Sequence, residues 1–267
     1  MIDKERVVII VGAMKCGTSS LYDYAVDHSE LAPCIIKEPE FFSQHQRHRV
    51  EAADYADLWP DYDPAVHRFA IEASTGYSKF PGETGVPERM HAYGLNPKLI
   101  YIVRNPFERI LSHFRHVKHL SYERPLLDEH LLSTSMYYTQ LEQYLRYFRQ
   151  DNMLVLDFDD LVAEPAATVR RVWRFLGLAD GPVRPSYRAS NASEHNYKLR
   201  ERFRRNGCRL PIPGRVLDFG DRLLTRLRPV PKPALSPAEA DFVHESLKAD
   251  MRRLNAVFGV PGAKWGF

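Results

Sequence analysis

The feature that most constrains the fold is an apolar run that passes through a small turn into a helical pattern, "VVIIVGAMKCGTSSLYDY" from Val7 to Tyr24. Such a run is typical of a strand buried on both faces of a parallel sheet. Similar runs recur at Phe69–Glu72, at Lys98–Val103 and in "NMLVLDFDDL", with helical patterns between them. This alternation predicts an α/β fold with a mainly parallel central sheet.

The turn after the first apolar run contains a lysine next to the start of a helix predicted at Ser19–Ser29. Free backbone N–H groups and the positive end of that helix, beside Lys15, predict an anion-binding loop. A Walker A loop reads GxxxxGK[ST], whereas here Lys15 lies two residues before Gly17. The order argues against a kinase site for Mg²⁺ and a triphosphate, although "LVLDFDD" faintly resembles a Walker B strand. A surface turn with an incidental lysine is the simpler alternative.

A second motif, "YIVRNPFERILSHFRH", places Arg104 at the end of a predicted strand and Ser112 eight residues later on the next helix. An arginine offers a planar fork to a phosphate, and a serine hydroxyl can complete the contact. The alternative is that Arg104 caps a helix or pairs with a nearby carboxylate. By itself the motif predicts a phosphate contact without identifying the phosphate.

Together, the two motifs resemble the PAPS-dependent sulfotransferases, whose donor is 3′-phosphoadenosine 5′-phosphosulfate (PAPS). "IVRNPFERILSHF" is similar to the family pattern R-[DN]-P-x-x-R-x-x-S, and "KEPEFF" and "IEASTGY" resemble the carbohydrate branch, which includes heparan-type and bacterial members. The resemblance covers nearly the whole chain in order. It implies a P-loop-like three-layer fold with helices on both sides of a parallel sheet, PAPS as donor, PAP as product and no metal.

The resemblance also implies how the donor is held. The loop after the first strand would contact the 5′-phosphosulfate through Lys15, Cys16, Gly17, Thr18, Ser19 and Ser20. Lys15 would in addition stabilise the charge on the bridging oxygen as its bond to sulfur breaks. Arg104 and Ser112 would bind the 3′-phosphate and so distinguish this donor from ATP-like nucleotides.

A carboxylate is needed to accept the proton of the acceptor hydroxyl. The resemblance implies that Glu38 is this base, because "KEPEFF" aligns it with the catalytic Glu of the carbohydrate branch. Other branches use a His in the segment aligned with "IEASTGY", which contains none. A structural pair of Glu38 with Lys37 or Arg47 is the alternative. Glu40 and Glu72 are further candidates for the base.

One departure from the family pattern concerns the acceptor side. Many relatives have a Lys directly after the Glu of "IEASTGY", where this chain has Ala73. Either Lys37 substitutes for it, or the acceptor geometry differs. The acceptor is therefore predicted only as a class, a hydroxylated small molecule or carbohydrate such as a sugar or glycolipid.

A basic segment at about residues 184–232 has thirteen Lys or Arg against four Asp or Glu. The excess favours an anionic ligand, although a solvated basic face has the same composition. The resemblance implies a loop that covers the donor site, with Lys198 and Arg200 in contact with the donor. Non-catalytic binding of an anionic polymer is the alternative. The net charge of only +3 does not favour a nucleic acid partner.

The chain predicts one domain over residues 1–267, closed by an amphipathic helix at about 237–258. The apolar stripe of that helix consists of Phe242, Leu247, Met251 and Leu254. No run approaches the roughly 18 apolar residues of a transmembrane helix. Three cysteines without CxxC spacing fit reduced thiols, so we expect a cytoplasmic protein. The histidines of "HFRHVKH" are expected on the surface or at the acceptor, and the oligomeric state stays open.

Overall fold

The computed structural model of the protein describes residues 2–45, 51–119, 125–182, 184 and 233–267. Its centre is a five-stranded parallel sheet with the strand order β2-β3-β1-β4-β5. The strands are β1 Val7–Gly12, β2 Leu31–Pro33, β3 Phe69–Ala73, β4 Lys98–Val103 and β5 Met153–Asp157. The predicted class, a P-loop-like α/β fold with a central parallel sheet flanked by helices, is confirmed.

Strand β1 is the middle of the sheet, as its unbroken apolar run predicts. All six of its residues are buried, and it pairs with β3 through Val7 and Ala70 and with β4 through Val8 and Lys98. Strand β2 was missed by the sequence analysis. It has only three residues and ends at Pro33, which is tolerated because β2 is an edge strand.

Helices flank the sheet. Among the described residues, the α-helices are α1 Thr18–Ala25, α2 Val86–Tyr93, α3 Pro106–His119, α4 Glu129–Ser133, α5 Tyr137–Leu145, α6 Phe158–Ala163, α7 Pro165–Phe175 and α8 Pro237–Phe258. The first helix is shorter than the predicted Ser19–Ser29. The fourth predicted strand also ends early, because the Asp157 side chain accepts a hydrogen bond from the Asp159 N–H (2.9 Å) and starts α6.

The last helix has the predicted bounds, but its buried face differs from the prediction. Ser236 and Glu239 form a capping box at its start, and Gly259 ends it with φ +68°. Val243, four residues before Leu247, lies in the buried stripe, whereas Phe242 is 54% exposed. Positions 242 and 247 are about 140° apart around a helix of 3.6 residues per turn, so they cannot share a narrow stripe.

The strand order places the candidate site at one edge of the sheet. The chain leaves β1 towards β2 and β3 on one side and later returns to β4 on the other, so β1 is the point where the direction reverses. Ligands of open α/β sheets bind beyond the carboxyl ends of the strands at such a point. The loops after β1, β3 and β4 therefore face one region.

The late basic loop, with Lys198 and Arg200, lies outside the described residues apart from Arg184. In the part of the chain that the structure describes, no helix has both the length and the apolar character needed to cross a bilayer.

Candidate anion-binding and catalytic site

The loop between β1 and α1 has the backbone of an anion site. Lys15 has φ +72°, and Gly17, with φ +87°, is the residue from which α1 begins. No side chain of the described residues caps this helix, and its first turn contains no acidic residue. The first N–H groups of a helix lack intrahelical partners, and with the helix dipole they favour a bound anion.

The Phe158 ring joins this loop to the second motif. A Cβ atom added to Gly17 would lie 2.8 Å from a carbon of that ring, so only glycine fits there. The guanidinium carbon of Arg104 lies 4.6 Å from the centroid of the same ring. The loop after β1 and the arginine after β4 therefore share one aromatic neighbour, which brings the two motifs close together.

Tyr137 also connects the loop after β1 to Arg104. Its hydroxyl donates to the backbone oxygen of Arg104 (2.7 Å) and lies 3.9 Å from the sulfur of Cys16. Burial raises the pKa of the Cys16 thiol to about 11, so the thiol stays protonated at neutral pH. The backbone N–H of Cys16 donates to Ala13 (3.2 Å), so Cys16 shapes the loop and faces the core.

Arg104 forms an ion pair in this structure, which is one of the alternatives left open by the sequence. Its Nε and Nη2 lie 3.1 and 2.6 Å from one carboxylate oxygen of Glu108, one turn further along α3. Glu108 is 56% exposed and so has access to solvent. Ser112 lies on the same helix and is buried.

Arg115 is a nearby cation that the sequence analysis missed. Its Nε is buried and has no hydrogen-bond partner among the described residues. Burial, and then the positive charge of Arg104, lower the pKa of Arg115. The guanidinium groups of Arg104 and Arg115 therefore lie near one carboxylate, that of Glu108. The net positive charge of these three groups favours the binding of a phosphate. Its position three residues after Ser112 on one helix is the signal that could have identified it.

Arg109, the second arginine of "RNPFER", is a further cation; it belongs to the family pattern given above but was not assigned to the site. It is fully buried and donates to the backbone oxygens of Leu131 (2.6 Å) and Met14 (3.5 Å). None of its hydrogen-bond partners among the described residues is a carboxylate. Its charge thus lies beneath the loop that contains Lys15 and adds to the positive potential there.

Of the two positions expected for the histidines, the surface is wrong for His113. His113 is buried, and its Nδ1 accepts a hydrogen bond from Arg109 (3.2 Å). Burial and the charge of Arg109 hold the pKa of His113 well below its usual range, so the ring is neutral. No group of three His, Cys, Asp or Glu suited to a metal ion occurs in the described ranges.

The segment "KEPEFF" brings Glu38 to the start of α1. The ammonium of Lys37 donates to the hydroxyl of Ser19 in the first turn of that helix and lies 4.0 Å from a carboxylate oxygen of Glu38. The Thr75 hydroxyl donates to the same oxygen (3.3 Å). The Glu38 side chain is 21% exposed, so a ligand that binds from solution can contact it.

The other two candidate bases are buried. The Glu40 carboxylate accepts from the Ser43 hydroxyl (2.7 Å) and the Gly76 N–H (2.9 Å), and burial raises its pKa. Glu72 is fully buried, and burial raises its pKa to about 7. Of the three carboxylates, Glu38 alone is both near α1 and partly open to solvent.

Comparison with known proteins identifies related chains. A family model described as "Sulfotransferase domain" matches residues 5–196. Human heparan sulfate glucosamine 3-O-sulfotransferase 5 is 29% identical over 243 residues, which are 82% of this chain and 67% of that protein. Human bifunctional heparan sulfate N-deacetylase/N-sulfotransferase 2 is 29% identical over 202 residues, 66% of this chain.

The chain spans only 22–24% of the length of the first curated relatives that it matches, all of them bifunctional proteins. Among solved structures, a sulfotransferase from Alicyclobacillus acidocaldarius superposes with a TM-score of 0.70 at 20% identity. The superposition covers 99% of both chains, so the two proteins share a fold.

Proposed function

This chain belongs to the family of PAPS-dependent sulfotransferases, and from that membership we propose that it transfers the sulfuryl group of PAPS to a hydroxyl group of a carbohydrate or similar acceptor. The observation that carries the proposal is the contact of Lys37 with Ser19 and Glu38, because it joins an anion-binding helix start to a solvent-accessible carboxylate. Donor and base then meet at one point, as an in-line transfer requires.

Two groups of residues would bind the two ends of the donor. Lys15 and the backbone N–H groups of Gly17, Thr18 and Ser19 would hold the 5′-phosphosulfate, with Ser20 as a further contact. Arg104 and Ser112 would bind the 3′-phosphate, and Glu108 would give up part of its contact with Arg104. These assignments are supported by the ring of Phe158, which touches both Gly17 and Arg104.

The proposed chemical step is a single displacement. The bond from the acceptor oxygen to sulfur forms, the bond from sulfur to the 5′-phosphate oxygen breaks, and the acceptor proton passes to Glu38. Lys15 stabilises the charge that develops on the phosphate oxygen. We assign to Lys37 the cationic role that many relatives give to the Lys missing at Ala73, since its ammonium lies beside the proposed base.

The acceptor class is proposed from the relatives. The names of the two human relatives give heparan sulfate as their substrate, which supports a carbohydrate acceptor. The match to the 3-O-sulfotransferase covers a larger share of both chains than the match to the N-sulfotransferase, and this favours oxygen over nitrogen as the accepting atom. A kinase is disfavoured because Lys15 does not directly precede a Ser or Thr as in Walker A.

The experiment measures donor binding and transfer separately. PAP binding is measured by calorimetry, and transfer from radiolabelled PAPS is measured to acceptors with a sugar hydroxyl, a glucosamine amino group or a phenol. We expect PAP to bind and Glu38→Gln to bind PAP normally with turnover lowered by about 10² or more. Glu88→Gln, which changes an exposed carboxylate on α2, is the control and should behave as the wild type.

Each failure has a distinct meaning. Absence of PAP binding would overturn the donor, whereas normal turnover of Glu38→Gln would overturn only the base. Hydrolysis of ATP with Mg²⁺ in place of transfer would favour a kinase. Strongly salt-dependent binding of an anionic polymer, with no effect of PAPS, would favour the non-catalytic binder.

A further inference from the structure

We propose that Glu72 is a positioning residue that determines where the Glu38 carboxylate lies, although it touches neither donor nor acceptor in the reaction described above. It would act through two hydroxyl groups, each of which holds the backbone of the segment "KEPEFF". The inference rests on the proposed role of Glu38 as base. It adds a residue on β3 whose buried side chain that role leaves unexplained.

The carboxylate of Glu72 is a hydrogen-bond centre inside the protein. Tyr55 and Tyr77 donate their hydroxyls to one of its oxygens, at 2.8 and 3.1 Å, and Ser74 donates to the other at 2.6 Å. Glu72 and Ser74 are fully buried, as is Tyr55. A buried carboxylate with three hydroxyl donors has an ordered geometry, because each donor aligns with a specific oxygen.

Two of those hydroxyls also bind the segment with the base. The Ser74 hydroxyl accepts a hydrogen bond from the backbone N–H of Glu40 (3.1 Å). The Tyr77 hydroxyl accepts one from the backbone N–H of Phe42 (3.2 Å). A backbone N–H can only donate, so each hydroxyl must use its single proton towards Glu72. The carboxylate therefore sets the orientation of both hydroxyls, and the hydroxyls set the position of the segment.

Glu38 lies at the start of this anchored segment. Its own N–H donates to the backbone oxygen of Ala73 (2.9 Å), so alternate residues 38, 40 and 42 are all attached to β3 or to the turn that follows it. Glu38 and Glu40 have φ +57° and +56°, a left-handed backbone conformation that residues other than glycine rarely adopt. Such a conformation persists only where the surroundings hold it, and the two hydroxyls are part of those surroundings.

Tyr55 offers a matched control. Its hydroxyl donates to the same carboxylate at a similar distance, but its ring packs against Phe42 with centroids 4.7 Å apart, and Tyr55→Phe keeps that ring. Tyr55→Phe thus removes one donor from Glu72 and leaves both attachments of the segment. Ser74→Ala and Tyr77→Phe each remove one attachment. These variants test the attachments one at a time and keep the Glu72 carboxylate in place.

We expect Ser74→Ala and Tyr77→Phe to lower kcat by about tenfold, since small displacements of a catalytic group are costly, with PAP affinity unchanged. Tyr55→Phe should keep kcat within about twofold of the wild type. In the Glu38→Gln background, Ser74→Ala should cause no further fall, because a group that acts through the base has no effect once the base is gone. Because the double variant turns over slowly, its rate of transfer is measured in single-turnover experiments with labelled PAPS and long incubation times.

Several outcomes would overturn the proposal. An equal loss of kcat in Tyr55→Phe and Ser74→Ala would mean that Glu72 supports the fold as a whole. A tenfold further loss from Ser74→Ala in the Glu38→Gln background would mean that Ser74 acts independently of the base. Normal turnover of Glu38→Gln alone would instead remove the proposed base, and missing PAP binding would remove the donor, so the two levels are distinguishable.

Discussion

The ammonium group of Lys37 donates a hydrogen bond to the hydroxyl of Ser19, which connects the segment after β2 to the first turn of α1. The same ammonium lies 4.0 Å from the carboxylate of Glu38. A cation at the start of a helix adds to the positive potential of the helix dipole. The proposed base and the proposed sulfuryl site are therefore linked by one side chain.

Replacing Lys37 by methionine should lower kcat by about 10² with little effect on PAP affinity, because the charge acts on groups that gain negative charge in the transition state. Steady-state kinetics with PAPS and calorimetry with PAP give the two values. Lys98→Met is the control, since Lys98 contacts Asn152 (2.8 Å) at the opposite end of β4. An unchanged kcat in Lys37→Met would exclude the catalytic role.

Changes at Arg104 and Glu108 should move PAP affinity in opposite directions. Arg104→Lys loses the planar fork and should weaken PAP binding by about tenfold or more. Glu108→Gln removes the anion that competes for the fork and should strengthen PAP binding by about two- to fivefold, as expected for an exposed pair. Calorimetry at two salt concentrations measures both. Weaker PAP binding in Glu108→Gln would contradict competition at Arg104.

Much of the fold could be predicted because it depends on local pattern. Strand β4 was predicted with its observed bounds, and the last helix likewise, since apolar periodicity and terminal residues specify such elements. Strand β2 was missed because three residues at a sheet edge carry no period. Helix α6 was missed because the cap at Asp157 interrupts an apolar run that continues in the sequence.

The site was predictable only in part, for a related reason. Lys15, Arg104 and Glu38 each lie in a motif that is confined to one short stretch of sequence. The buried partners of Glu72 come from 17, 5 and 2 residues away, and only the folded chain shows which hydroxyl faces which oxygen. The role of Arg109 could not be predicted because its partners, two backbone oxygens and three neutral side chains, come from separate segments that only the folded chain brings together.

Gly17→Ala should weaken PAP binding by about tenfold or more, because the loop must shift to relieve contact with Phe158. Gly259→Ala is the matched control. Gly259 also has positive φ, +68°, but nothing lies within 4 Å of its added Cβ, so only the backbone cost of about 1–2 kcal/mol applies. Thermal unfolding and PAP calorimetry compare the two variants. Equal loss of stability with unchanged PAP binding would show that the Phe158 contact does not shape the site.

The last prediction concerns the pH dependence of stability. Burial raises the pKa of Glu72 to about 7 in the folded protein from 4.5 in the unfolded chain. The folded state therefore binds the proton more tightly, so the stabilisation is complete below pH 4.5 and is lost as pH rises through 7. Relative to Glu72→Gln, the wild type should lose about 3 kcal/mol of unfolding free energy over that interval.

Chemical denaturation at several pH values between 4.5 and 8 measures this difference. Glu40 is also buried with a raised pKa and changes stability in the same direction, so the comparison uses the difference between wild type and Glu72→Gln, in which the Glu40 contribution largely cancels. Glu88→Gln, which removes an exposed carboxylate on α2, is the control for the loss of one carboxyl group. If Glu72→Gln followed the wild-type slope as well, the Glu72 carboxyl would not be the group that binds the proton on folding, and its three hydroxyl partners would offset the cost of burying its charge.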